Sequence, residues 1–180
     1  RILPDNDSYH CIKALKYIEI NHSKIIDKYY DKLIKYNIGV EKKDLTTYKS
    51  YTLWNKTIEN LLWSIQILEY IKKINKTNIS IVEVGCGYAD IYTFITIISD
   101  FYNINISYTI IDLKQWINKV KQYLIVNNID ITNVSFINYE DLCDGKRLNN
   151  YDFFFYKCAY SELNGYMRKF YLDKVVSKLI

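Results

Sequence analysis

Proline is almost missing from this chain of 180 residues, with one copy at Pro4, and glycine occurs only five times. That scarcity excludes collagen-like and Pro/Gly-rich disordered classes, and it makes the place of each glycine informative. The four cysteines, Cys11, Cys86, Cys143 and Cys158, form no C-x-x-C pair, and the two histidines lie far from three of them. Neither a zinc site nor a disulfide framework is indicated, so no metal is expected and reduced thiols of an intracellular protein are the simplest reading. No stretch approaches the roughly 18 to 20 apolar residues of a membrane span, and the N-terminus lacks a signal-peptide core. A cytoplasmic protein without a membrane partner is expected. Runs of five or six basic residues are also lacking, and the net charge of +4 supports only a mild preference for anionic partners. A nucleic-acid partner is left open, because the 19 tyrosines could form a stacking surface; the abundance of Ile, Lys, Asn and Tyr over Ala and Gly also reads as an AT-rich coding bias.

What is present suits one folded domain with appended helices: 49% of residues are hydrophobic and 24% charged, which is ordinary for a globular protein. Residues 8–37 carry apolar positions at helical spacing and predict two helices, a helical cap spanning 1–50. The polar stretch after Gly39 predicts a loop or linker over 38–50, and the pattern from Leu53 to Ile74 predicts a further helix. Residues 51–180 then form the second region. Short β-branched or aromatic runs at 79–84, from Ile106, from Asn133 and from Tyr151 alternate with helical segments, with a shorter connection, "EDLCDGKRLNN", before the fourth. Strand and helix in alternation mean right-handed crossovers and a doubly wound α/β domain with a parallel sheet.

The first strand ends in "EVGCGYAD", where Gly85 and Gly87 flank Cys86. In such a sheet ligands sit beyond the carboxyl ends of the strands, so this turn is the place to look. Gly85 permits the sharp turn, Gly87 lets a ligand approach the backbone, and Cys86 is either packing or a nucleophile. Two ligand classes use a turn of this kind, dinucleotides and S-adenosylmethionine. The dinucleotide fingerprint needs glycine at position 90, where Asp90 stands and would repel phosphates. The sulfonium and ammonium of S-adenosylmethionine are instead favoured by Glu83 and Asp90; both acids could also serve the turn and the helix dipole. Asp112, twenty-five residues after Gly87 at the end of "YTIID", can accept from two ribose hydroxyls or cap the following helix.

Together these segments resemble the class I S-adenosylmethionine-dependent methyltransferases over roughly residues 53–180. "VEVGCGYAD" looks like their first motif, "TIID" like their ribose-binding acid, "VSFINYEDL" like their third segment and "YDFFFYKCAYSELN" like the fourth strand and the loop after it. Ala89 departs from the glycine often found there. The resemblance implies a Rossmann-like sheet with strand order 3-2-1-4, with Glu83, Gly85 and Gly87 around the methionine part of the donor, Asp112 on the ribose, and Tyr139, Glu140 or Asp141 on the adenine amino group. "AYSELN" is similar to a group of sugar O-methyltransferases, which implies methyl transfer to a hydroxyl of a small molecule, a sugar. The Asn/Asp-Pro-Pro-Tyr/Phe motif of amino-group methyltransferases is missing after strand four. Glu162 is the first candidate for the base or hydroxyl-orienting group, with Tyr160, Ser161 and Lys157 behind it; Ser161 and Glu162 could equally start the next helix. Tyr48, Tyr51 and Trp54 either line the site or belong to the core. Four strands where the family has seven, and a start at Arg1, lead us to expect a truncated piece or a sheet completed by a second chain or oligomer. A nucleic-acid methyltransferase and a non-catalytic binding module are the alternatives.

Overall fold

The computed structural model describes residues 6–156 and 163–180. Four parallel strands, β3 (Asn78–Val84), β4 (Asn105–Asp112), β5 (Val134–Asn138) and β6 (Phe153–Phe155), form a sheet of order β5-β4-β3-β6. This is the expected 3-2-1-4 arrangement. Val84 pairs with Ile111 and Asp112 with Asn138, so the strand ends bearing Gly85 and Asp112 lie side by side.

Alternation along β3 divides the core between two faces. Ile79 and Ile81 join a cluster with α1 (Asn6–Leu33), α2 (Asn55–Lys73), α3 (Asp90–Tyr102) and α4 (Lys114–Val126), represented by Leu15, Ile65, Phe94 and Val120. Val82 and Val84 join a smaller cluster on the other face with Leu142, Tyr171 and Val175. Leu142 belongs to the short helix α5 (Tyr139–Cys143), formed inside a stretch read from sequence as mere connection. Tyr171 belongs to α6 (Gly165–Lys174), whose Asn164 side chain caps the Met167 N–H at 2.9 Å.

Two segments near the N-terminus differ from expectation. The two predicted helices are one continuous α1 with a kink at His22, whose backbone leaves the helical region (φ −135°, ψ 31°). The kink lets Leu15 and Ile18 on one side and Ile25, Ile26 and Leu33 on the other all reach the same core. An antiparallel hairpin, β1 (Leu45–Tyr48) and β2 (Tyr51–Trp54), begins in the predicted loop and runs past its end into the predicted helix, so α2 starts at Asn55 instead of Leu53. Its Thr, Tyr, Leu and Trp residues suit strands, and Lys49 takes the left-handed turn position without a glycine (φ 52°). Tyr48 and Tyr51 pack on the core. No described helix is long and apolar enough to cross a membrane.

Candidate functional site

The sheet order reverses beside β3: the chain moves from β3 outward to β4 and β5, then returns to β6 on the other side. A crevice opens at the carboxyl end of the central strand at such a point. Here it is a cleft of about 640 Å³ lined by Glu83, Gly85, Cys86, Gly87, Asp90 and Asp112, with Lys56, Tyr88, Leu113, Trp116, Met167 and Tyr171 around them. Its size lies within the roughly 300–1,000 Å³ typical of small-molecule sites.

The turn is built from left-handed backbone. Gly85 (φ 70°) donates its N–H to the Ile111 carbonyl at 2.9 Å, tying the turn to β4. Gly87 also has positive φ (56°), and a side chain there would meet nothing within 4 Å. Its missing Cβ therefore faces open space. Ala89 holds a left-handed conformation too (φ 57°) while fully buried, and its N–H donates to the Cys86 carbonyl at 2.8 Å. A non-glycine residue in this region costs about 1–2 kcal/mol, so alanine is accommodated with strain.

Three carboxyl groups and one ammonium line the cleft. Glu83 is 1% exposed and accepts from the Tyr108 hydroxyl at 2.9 Å. Asp112 accepts from the Leu113 N–H at 2.8 Å and from the Cys86 thiol at 3.8 Å. Burial pushes its carboxyl above the ordinary value, and the N–H groups of Leu113 and Cys86 offset this only in part. Burial, followed by the charges of Glu83 and Asp112, drives the Cys86 thiol far up. A thiol so held is not poised as a nucleophile and fills space beneath the turn. Asp90 opens α3 and pairs with Lys56 of α2 at 3.0 Å. Its charge is thus compensated, which weakens the repulsion of phosphate expected from sequence.

Among the predicted donor-site residues, Glu83, Gly85, Cys86, Gly87 and Asp112 come together here. Tyr139, Glu140 and Asp141 do not line this cleft. The Tyr139 ring packs on Phe170 and Tyr171, and its hydroxyl donates to Met167 Sδ at 3.0 Å. Asp141 pairs with Lys146 at 3.4 Å. Glu140 lines a neighbouring hollow with Leu113, which also borders the cleft. Tyr160, Ser161, Glu162 and Lys157 lie outside the described residues. The sequence reading missed Lys56, Leu113, Trp116, Met167 and Tyr171. Trp116 stands one helical turn after Asp112, and Met167 and Tyr171 are four apart on α6, so helical spacing could have pointed to them.

No protein-family model matches the chain, and no curated protein matches it. Solved structures do. The S-adenosylhomocysteine-bound methyltransferase PaMTH1 of Podospora anserina aligns with 100% of this chain and 69% of its own, with 14% identity and a TM-score of 0.50. The plantazolicin methyltransferase BamL, solved with a triazolic desmethylPZN analog and S-adenosylhomocysteine, aligns over 97% of this chain and 54% of its own (17% identity, TM-score 0.46). PKMT2 of Rickettsia typhi, solved with S-adenosylhomocysteine, aligns over 57% and 19% (16% identity, TM-score 0.45). The chain therefore spans only part of the length of these proteins. It shares the Rossmann-like methyltransferase fold of PaMTH1.

Proposed function

We propose that the chain binds S-adenosylmethionine in the glycine-turn cleft and transfers its methyl group to a hydroxyl of a small molecule, a sugar. The observation that carries the reading is the combination of an open backbone at Gly87 with Glu83 and Asp112 at the mouths of adjacent strands. This donor set fits a cationic nucleoside better than a pyrophosphate, since buried carboxylates attract a sulfonium and repel phosphate. The shared fold with S-adenosylhomocysteine-bound PaMTH1 supports it. When bound, S-adenosylmethionine supplies an electrophilic methyl group, which passes to the acceptor oxygen as the carbon–sulfur bond breaks and the hydroxyl proton leaves.

The protein's own share is holding and orienting. Asp112, at the end of β4, accepts from the ribose hydroxyls; Gly85 and Gly87 let the donor lie against the turn; Glu83 supplies negative charge below it. Trp116 and Leu113 offer apolar surface beside Asp112 for a base, with Glu140 in the adjoining hollow to receive an amino group. Glu162 is assigned the acceptor proton, with Ser161 and Tyr160, its neighbours in sequence, as the further candidates. The similarity of "AYSELN" to sugar O-methyltransferases supports the sugar hydroxyl. Hydrogen exchange tests the donor site: S-adenosylhomocysteine should slow exchange of the amides from Gly85 to Ile91, and NAD should not. Equal protection by both, or by neither, would overturn the reading.

A further inference from the structure

A second cavity, larger than the glycine-turn cleft, lies elsewhere among the described residues. It measures about 900 Å³ and lies between the first turns of α1, the segment leading into the hairpin and the start of α2. Lys56 lines both spaces. Its ammonium stands 3.0 Å from Asp90 Oδ2, at the first residue after the glycine turn, and 5.6 Å from the Trp54 ring centre on the cavity side. The two spaces thus meet at one side chain.

The walls select among acceptor chemistries. Trp54 and Tyr17 present aromatic surface, while Asn55, Glu59, Gln66 and Asp44 bring both donors and acceptors of hydrogen bonds. A wholly apolar acceptor would leave the side chains of Asp44 and Gln66 without water or partner. A strongly anionic one would meet Lys13, held over the Tyr9 ring, but would also face Asp44 and Glu59, while Lys43 is already paired with Glu41 at 2.9 Å and Lys56 with Asp90. A ring with hydroxyls around its rim and C–H groups on its faces meets both demands.

We infer that this cavity is the acceptor site: it holds a polyhydroxylated ring compound, stacked on Trp54, with one hydroxyl directed past Lys56 to the donor cleft. The volume, near the top of the roughly 300–1,000 Å³ range of small-molecule sites, fits a glycoside larger than a single sugar ring. The described N-terminal segment, through α1 and the approach to the hairpin, then has a role as the cap that walls the acceptor. The inference rests on the methyl-transfer reading for its meaning, and its test separates the two.

Saturation-transfer NMR with methyl α-D-glucopyranoside and methyl β-maltoside is recorded in the presence of S-adenosylhomocysteine. The expected result is transfer to both probes, stronger for the disaccharide. It should fall about tenfold in Trp54→Ala, the loss of one aromatic contact. It should fall likewise in Glu59→Trp, which blocks the cavity from an exposed position. In both variants the affinity for S-adenosylhomocysteine, measured separately, stays at the wild-type value. Transfer that is undiminished in both variants, or no transfer while S-adenosylhomocysteine binds, overturns the acceptor site and leaves the donor site standing. Failure of S-adenosylhomocysteine to bind wild type overturns the methyl-transfer reading itself.

Discussion

Asp152, just before β6, and Asp112, closing β4, stand at opposite ends of one parallel sheet and are treated in opposite ways. The Asp152 carboxylate pairs with Lys76 and accepts from the Ser80 N–H and hydroxyl, each at 2.8 Å. Lys76 foremost, and Ser80 with it, hold this carboxyl below the ordinary value. Asp112 has the N–H groups of Leu113 and Cys86 and a weak thiol donor but no cation among the described residues, and burial still holds it above the ordinary value. One end of the sheet is closed by a satisfied carboxylate that ties β6 to β3. The other keeps an under-compensated carboxylate beside an open glycine, which is what a site awaiting a cation and hydroxyl groups requires.

Removing each aspartate breaks the comparison most sharply. Asp112→Ala should weaken S-adenosylhomocysteine binding by about 100-fold or more, because hydrogen bonds to a charged acceptor contribute about 1.5–3 kcal/mol each and two are lost. Calorimetric titration reads this, and urea unfolding should show no loss of stability. Gly87→Val should also abolish donor binding, since its side chain enters the open space. Left-handed strain should add a stability cost of about 1–2 kcal/mol in urea. Asp152→Ala should do the reverse of Asp112→Ala: about 1–3 kcal/mol of stability lost as the Ser80 donors are orphaned, with donor affinity unchanged.

Acid separates the two ends within one molecule. Asp112, raised, protonates above the ordinary value of 3.8, so donor binding should fade as pH drops through that higher range. Its ionisation opposes folding, so its protonation does not destabilise the fold. Asp152, lowered, contributes stability that is complete above the ordinary carboxylate value and is lost only as pH falls through its own depressed value. A window should therefore exist, just above the ordinary value, in which the protein is folded by circular dichroism yet no longer binds S-adenosylhomocysteine. The smallest effect is expected at Ala89→Gly, where relief of left-handed strain is offset by a lost buried methyl group and a more flexible unfolded chain. Stability should change by less than about 1 kcal/mol, with binding kept.

The sheet and glycine turn were legible because their signals are local. "ISIVEV" and "YTIID" are short apolar runs stopped by glycine or aspartate, and four such runs with helices between them admit few topologies. The hairpin was not, since "EKKDLTTYKS" is polar and turns at Lys49 without glycine. The kink at His22 was hidden because apolar spacing on each side looks like a separate helix. Lys56 at the junction of the two cavities could not be read at all. Its partner Asp90 is distant in sequence, and only the packing of α2 against α3 brings them together.

The central claim is that the under-compensated end of the sheet is a methyl-donor site. Calorimetric titration of the wild-type chain with S-adenosylhomocysteine at neutral pH tests it most directly. The account predicts one site of micromolar-range affinity and no heat with NAD. Absence of heat with S-adenosylhomocysteine, or equal binding of NAD, would contradict it.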